Sequence, residues 1–204
     1  FDDHAIVEDN PSVLTLDVVH IFSVPYWPNR EHAGLYRPLT TLSLALNYAI
    51  HTFDPFGYHF FNVLLHVLNT LLVYMLTKHL LRVPMGLFVA LLFALHPVQT
   101  EAVNGIVGRS ELLSAFWVLV ACLLYVRSGV NVGRGLNRLY GLSLVASFLA
   151  MCSKENAACM VGLVVIYDWM WIHRGRWPQG VAGFLKRGVP RYMPYVGLVV
   201  LFLF

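Results

Sequence analysis

Three short clusters of ionisable residues stand out because each lies at the end of an apolar run. They occupy residues 2–4, 96–111 and 153–156, and each contains at least one carboxylate. Carboxylates act as general bases, and Lys or Arg stabilise negative charge that develops on a leaving group. Ionised side chains at membrane depth cost free energy unless they are paired or hydrated. The recurrence of such clusters therefore predicts one shared polar site.

Each cluster also has an ordinary structural explanation. These explanations are a solvated chain end for Asp2 and Asp3, helix caps for Glu101 and Glu111, and a local ion pair for Lys154 with Glu155. Taken one cluster at a time, the structural explanation is favoured. The convergence of the clusters on one side of the molecule is what favours a functional site.

The composition is typical of a protein with several membrane-spanning helices. The 204 residues are 58% hydrophobic and 12% charged, with a mean hydropathy of +0.64. The net charge of +3 sits in short loops, where membrane orientation explains it better than nucleic-acid binding does. The three cysteines lack C-x-x-C spacing, so neither a disulfide framework nor a zinc site is indicated.

Six apolar runs predict the helices that position the clusters. They span residues 58–81, 85–95, 112–126, 136–151, 157–172 and 195–204. Several are shorter than the roughly 20 residues of a straight span, and 85–95 predicts either a short buried helix or one extended by the polar residues after it. Residues 1–57 then form a first loop and residues 58–204 a transmembrane helical domain. Because the chain starts at Phe1 and ends within an apolar run, we expect a piece of a longer protein.

The signs of the charges orient these helices. All but one of the 11 acidic residues lie in residues 1–57, in the loop 96–111 or in the turn 152–156, whereas most of the 14 Lys and Arg lie in the other loops. By the positive-inside rule the basic loops face the cytosol, so the acidic ones face the lumen or exterior. The exception is Asp168, near the cytosolic end of its helix. All three ionisable clusters thus lie on the non-cytosolic side.

The first loop contains a predicted helix over about residues 38–50. Its proline, Pro38, suits the first turn of a helix. The helical repeat gives it an apolar face, with Leu39, Leu42, Leu46 and Ala49, and a polar face with Thr40, Ser43 and Asn47. Such a helix lies along the bilayer surface or, alternatively, packs on a soluble domain. Asp54 and Pro55 then predict the cap and first turn of the first span.

Within the first span, polar residues recur at helical spacing. His59, Asn62, His66 and Asn69 share one stripe of the helix. Such a stripe does not belong against lipid. It either lines a cavity or hydrogen-bonds neighbouring helices, and the second interpretation is favoured for the deeper residues.

Several of these segments together resemble the family of transmembrane and tetratricopeptide-repeat-containing O-mannosyltransferases. The residues that carry the resemblance are Phe1-Asp2-Asp3, Asp9-Asn10-Pro11, Tyr36-Arg37-Pro38-Leu39-Thr40, Asp54-Pro55-Phe56-Gly57-Tyr58-His59, Asn62-Val63-Leu64-Leu65-His66, His96-Pro97-Val98-Gln99-Thr100-Glu101-Ala102-Val103, Val107-Gly108-Arg109-Ser110-Glu111-Leu112-Leu113 and Ser153-Lys154-Glu155. They occur in the family's order and cover essentially the whole chain. The family's first helix, later membrane helices and repeat domain are absent from this sequence.

The resemblance implies an all-α, polytopic membrane enzyme of the GT-C fold. Its extended non-cytosolic first loop would contain the interfacial amphipathic helix. Such an enzyme moves a sugar, here mannose, with inversion from a dolichyl- or other polyprenyl-phosphate donor to Ser or Thr hydroxyls of a protein acceptor. The implied location is the endoplasmic reticulum membrane, or the inner membrane of a bacterium. We expect residues 1–204 alone to be inactive, because the donor groove would need later helices.

The resemblance also assigns roles to the clusters. It places the general base at Asp3 or Asp2, with Asp3 favoured, and one carboxylate suffices because the phosphate leaves without an acid. Arg109, Lys154 and Arg37 are the expected phosphate-binding cations, and His96 either donates to the phosphate or caps its helix. Glu101, Glu111 and Glu155 are expected to orient those cations or bind the acceptor. No metal site is predicted, since separate carboxylates indicate a divalent metal only weakly.

Two other classes of protein fit parts of the sequence. A transporter would place ionisable residues near the middle of several spans, whereas here they collect at one end, with His66 the main exception. A non-catalytic membrane scaffold for a repeat domain differs from the enzyme only in lacking activity.

Overall fold

The computed structural model describes residues 4–27, 35–81, 83–129, 137–173 and 188–203. The described residues are helical and contain no strand, which confirms the all-α class for this part of the chain. The longer helices, in our numbering, are α3 (Pro38–His51), α4 (Pro55–Leu80), α5 (Val83–Leu95), α7 (Arg109–Ser128), α8 (Arg138–Ser153) and α10 (Val189–Leu203). The shorter ones are α1 (Pro11–Thr15), α2 (Val18–Ile21), α6 (Gln99–Asn104) and α9 (Met160–Tyr167).

Short helical turns join some of these helices. A π-helical turn, His4–Glu8, precedes α1, a 3-10 turn, Glu155–Cys159, leads into α9, and a second π-helical turn, Asp168–Ile172, extends α9. The apolar run 157–172 is therefore three consecutive helical pieces rather than one regular helix. Helices α1, α2 and α6 lie in regions whose polar, turn-rich sequence predicted loops.

Two helices, α4 and α7, are long and apolar enough to cross a bilayer, and α5, α8 and α10 are shorter apolar helices. Helix α4 lies against α5 and α7, and α7 packs along α8. One face of α4 exposes Phe60, Val63, Val67 and Leu71. That stripe repeats at intervals of three or four residues, as expected of a lipid-facing surface.

Local signals fix where the helices begin. The Asp54 side chain accepts a hydrogen bond from the Phe56 N–H at 3.1 Å, with Pro55 in the first turn of α4, so the predicted cap is confirmed. Helix α3 begins with Pro38. Its polar Thr40 and Asn47 are buried against the protein, whereas Leu46 and Ile50 are exposed. The placement of this exposed apolar face along a bilayer stays a prediction.

Buried charged side chains lie near both ends of α7. Near its C-terminus the buried Asp168 carboxylate accepts hydrogen bonds from the hydroxyls of Tyr125 and Tyr192, both at 2.8 Å, and Arg191 lies 3.8 Å away. This network joins α7, the π-helical turn after α9, and α10. The predicted site residues lie at the other end, around the first turn of α7.

Candidate functional site

A cavity of about 820 Å³ opens where α4, α6 and α7 meet the turn after α8. Ligand pockets for small molecules are of this size. Four of the predicted charged residues line it, namely Arg37, Glu101, Glu111 and Lys154. The cavity thus gathers residues from α6, from α7 and from two segments that are more than 100 positions apart in the chain.

Arg37 and Glu155 form a bidentate ion pair at one side of the cavity. The Arg37 Nε and Nη2 donate to the two carboxylate oxygens of Glu155 at 2.9 and 2.7 Å. Arg37 is 8% exposed and its guanidinium lies 5.0 Å from the centre of the Tyr26 ring. Burial alone raises the pKa of Glu155, but the hydrogen bond and charge of Arg37, with Lys154 nearby, outweigh it and lower that pKa.

Lys154 and Glu111 form the second ion pair of the cavity. The Lys154 Nζ contacts Glu111 Oε1, and the other oxygen of that carboxylate accepts from Asn156 Nδ2 at 3.3 Å. Ser114 in turn donates to Asn156 Oδ1 at 3.2 Å. The local pairing of Lys154 with Glu155 was therefore wrong, because each binds a partner from a distant segment.

Glu101 differs from Glu111 and Glu155, which both form ion pairs. It lies in the first turn of α6, is exposed, and lines the cavity. Within the described residues its carboxylate makes no hydrogen bond or ion pair. Glu111 also lies in the first turn of its helix, where the helix dipole favours negative charge. Both glutamates thus occupy the helix-end positions of the structural explanation and also line the cavity.

Arg109 is buried beside the cavity rather than among its lining residues. It is 2% exposed. Its guanidinium donates to Asn62 Oδ1 at 2.5 Å, to Asn47 Oδ1 at 3.0 Å and to the Tyr58 carbonyl at 3.0 Å. No carboxylate of the described segments pairs with it. The position favours a role in joining α3, α4 and α7, and phosphate binding by Arg109 stays a prediction.

His96 and the two aspartates remain outside this group. The His96 Nδ1 accepts from the Val98 N–H at 3.2 Å, in the turn between α5 and α6, and no side chain caps α6. Phosphate binding and helix capping by His96 both stay predictions. His96 is exposed and is not among the lining residues of the cavity. Asp2 and Asp3 lie outside the described residues. Among the described residues no group of three or more His, Cys, Asp or Glu is placed to hold a metal ion.

Asparagines form a scaffold that the sequence indicated only as a polar stripe. Asn62 Nδ2 donates to the carbonyls of Val103 and Gly105 at 3.3 and 2.8 Å, which fixes the loop before α7. Asn69 Nδ2 donates to the Leu112 carbonyl at 3.0 Å, and the His66 ring contacts the Ala94 carbonyl at 3.1 Å. These three residues hydrogen-bond other helices or the loop before α7, as the favoured interpretation predicted, and Asn69 also lines the cavity, so both interpretations hold for it. His59 of the same stripe is exposed.

Comparison with known proteins identifies similar sequences. A family model described as dolichyl-phosphate-mannose-protein mannosyltransferase matches residues 32–202. Protein O-mannosyl-transferase Tmtc3 of Drosophila melanogaster is 36% identical over 92% of this chain, and protein O-mannosyl-transferase TMTC2 of Mus musculus is 35% identical over 92%. The chain spans 23% of the length of each of these relatives. No solved structure matches.

Proposed function

Because this chain belongs to the dolichyl-phosphate-mannose-protein mannosyltransferase family, we propose that it contributes the donor-binding part of a membrane enzyme that mannosylates proteins. The donor is a polyprenyl-phosphate mannose, the acceptors are Ser or Thr hydroxyls of proteins, and the reaction inverts the anomeric carbon. The observation that carries this proposal is the cavity lined by Arg37, Lys154 and two carboxylates. It lies at the end of the helices where the loop charges predict the non-cytosolic side.

Lys154 and Arg37 are the phosphate-binding groups of this proposal. Each is already paired with a carboxylate, so the charges of the two pairs cancel before the donor binds. Both cations nevertheless have N–H groups beyond those that their carboxylates accept. A phosphate oxygen can therefore accept a hydrogen bond from Lys154 while Glu111 stays bound to it, or from Arg37 while Glu155 stays bound to it. The carboxylates hold the cations in place for the phosphate charge that develops as the sugar leaves.

The acceptor hydroxyl needs one carboxylate as its general base, and we assign this to Asp3 or Asp2 of the first loop. As the hydroxyl oxygen attacks the anomeric carbon, the bond from that carbon to the phosphate oxygen breaks, and the proton passes to the aspartate. The phosphate leaves as an anion and needs no acid. We assign acceptor binding to Glu101, which lines the cavity and has no hydrogen bond or ion pair among the described side chains.

The proposed setting is a polytopic GT-C-like membrane protein of the endoplasmic reticulum, or of the bacterial inner membrane, with α3 along the bilayer surface. The exposed Leu46 and Ile50 of α3 support that orientation, whereas the buried face of the helix contains Leu44 and Ala45 as well as Thr40 and Asn47. The activity is proposed for the full-length protein, in which a tetratricopeptide-repeat domain would accompany these helices.

The test is mannosyl transfer by the full-length protein in lipid vesicles, with polyprenyl-phosphate mannose and an acceptor protein. We expect Asp3→Asn or Asp2→Asn to abolish transfer, and Lys154→Gln to lower kcat/KM at least about 10-fold. Lys78→Gln is the matched control. It also removes one positive charge, but in the last turn of α4, away from the cavity, so transfer should be unchanged. Wild-type transfer rates in both variants would show that neither aspartate is the general base.

A further inference from the structure

Asn69 carries a buried hydrogen-bond acceptor that nothing in the described chain satisfies. The residue is fully buried, and its Nδ2 donates to the Leu112 carbonyl at 3.0 Å. A carbonyl oxygen can only accept, so this bond fixes the orientation of the amide. The Asn69 Oδ1 is therefore an acceptor, and it has no hydrogen-bond partner among the described residues.

Asn69 also lines the cavity described above. Its neighbours in that lining include Phe93, Leu112 and Ala115, which are apolar, whereas the charged residues belong to the loops and helix ends. Asn69 lies roughly 20 Å along α4 from the start of that helix, at about 1.5 Å per residue. The cavity thus combines cations in its loop-facing wall with a neutral acceptor on the middle of a membrane helix.

A second acceptor lies one turn earlier on the same helix. The His66 Nε2 contacts the Ala94 carbonyl at 3.1 Å, which assigns the ring hydrogen to Nε2 and leaves Nδ1 as an acceptor. That Nδ1 is buried and has no partner among the described residues. The His66 ring stacks on Phe93, which is itself in the cavity wall, with ring centres 5.6 Å apart.

The chemistry of these atoms selects the part of the donor that they can bind. An unsatisfied buried acceptor gains only from a group that donates a hydrogen bond. A phosphodiester anion has no hydrogen to donate, and a polyprenyl chain is apolar. Sugar hydroxyls donate. The acceptor hydroxyl also has a hydrogen, but in the proposed reaction that hydrogen passes to the aspartate base. We propose that Asn69 Oδ1 accepts a hydrogen bond from one hydroxyl of the sugar of the donor, and thereby determines which sugar is transferred.

This inference rests on the proposed function, in which the phosphate binds Lys154 and Arg37. The sugar is joined directly to that phosphate and occupies the same cavity. Asn69 is then a specificity-determining residue, whereas the cations serve any lipid phosphate. His66 is not among the lining residues of the cavity, so the proposal is limited to Asn69.

The test compares donors on the full-length protein in lipid vesicles. The donors are polyprenyl-phosphate mannose and analogues that each lack one sugar hydroxyl. We expect the wild type to prefer mannose over one of these deoxy donors by about 5- to 100-fold in kcat/KM, because that donor leaves Asn69 unsatisfied. In Asn69→Leu this one ratio should fall to near 1, while the ratios for other deoxy positions stay as in the wild type.

The ratios separate a role in recognition from a role in folding. Each ratio compares two donors on one preparation, so a smaller amount of folded Asn69→Leu protein does not change it. Thr70→Val is the matched control, because the Thr70 hydroxyl donates only to the His66 carbonyl of its own helix, at 2.9 Å. That variant should keep all the wild-type ratios.

Two results would overturn the inference, and they differ in what else they refute. If Asn69→Leu keeps every wild-type ratio, or if the wild type uses all deoxy donors as well as the mannose donor, Asn69 does not recognise a sugar hydroxyl. The proposed mannosyl transfer is not refuted by either result. If the wild type transfers mannose from no polyprenyl-phosphate donor, the proposed function fails as well.

Discussion

Replacing Arg109 with Met should destabilise the junction of α3, α4 and α7 more than any exposed charge change. The side chain is 2% exposed and satisfies three oxygen acceptors, those of Asn62, Asn47 and the Tyr58 carbonyl. Met keeps much of the volume but donates no hydrogen bond. The Tyr58 carbonyl still accepts the backbone hydrogen bond of α4, so only the two asparagine oxygens are left unpaired. Each such acceptor costs about 1–3 kcal/mol, which gives a gross loss of roughly 2–6 kcal/mol.

The net loss is smaller, because Met does not have to desolvate a guanidinium. The partners of Arg109 are neutral, so its removal leaves no unpaired charge, and we expect Arg109→Met to cost about 1–4 kcal/mol. For a unit of this size, such a loss lowers the midpoint of thermal unfolding by roughly 2–16 °C. The measurement is thermal unfolding of the purified protein in detergent. Arg127→Met is the control, since Arg127 is exposed and should shift stability by less than about 0.5 kcal/mol.

A double-mutant cycle tests whether the acceptors are the cause. Asn62→Leu also removes an acceptor that Arg109 uses, so the double variant Asn62→Leu with Arg109→Met should be less destabilised than the sum of the two single variants. We expect a coupling energy of about 1–3 kcal/mol. Strictly additive effects, or an Arg109→Met midpoint equal to that of the wild type, would refute this account of Arg109.

Three further predictions concern the walls and orientation of the site. Gly108→Ala should destabilise the start of α7, because an added Cβ would overlap the Ala102 carbonyl group. Gly141→Ala is the control in the same unfolding assay: an added Cβ there meets no atom within 4 Å, so the change should be neutral or stabilising. The lowered pKa of Glu155 means that its ion pair stabilises the protein above the ordinary value of 4.5 and is lost as pH falls through the lowered value. The unfolding midpoints of wild type and Glu155→Gln should therefore converge in acid, and a constant difference would contradict the pairing. Finally, a glycosylation acceptor tag between α5 and α7 should be modified and one between α9 and α10 should not, and the reverse pattern would invert the topology.

Much of the helical class follows from the sequence because its signals are local. Apolar runs, the Asp54 cap with Pro55, and Pro38 at the start of α3 act over a few residues, and the described structure contains helices at these positions. Helix α6 was not predicted, because its six residues within a polar loop are too few to display a repeat of apolar residues at helical spacing. The broken helical geometry after Lys154 was likewise invisible, since an apolar run has the same composition in either form.

The ion pairs of the site depend on contacts between distant segments. The structural explanation from the sequence paired Lys154 with Glu155, but in the structure Lys154 binds Glu111 and Glu155 binds Arg37. Neighbours in sequence cannot reveal such partners. The polar stripe of α4 did predict contacts with other helices, because unpaired polar groups are costly at membrane depth.

The sequence by itself determined the helical class, the family resemblance and the ionisable residues around which a site could form, and it predicts a charge of opposite sign at the two ends of the helices. Composition and helical periodicity suffice for these because they depend on transfer from water and on local backbone geometry. Only the tertiary structure decided which of those residues share a cavity. It placed Arg37, Glu101, Glu111 and Lys154 around one cavity and buried Arg109 beside two asparagines. The reason is that the packing of α4, α6 and α7 against the turn after α8 sets which side chains reach the space between them.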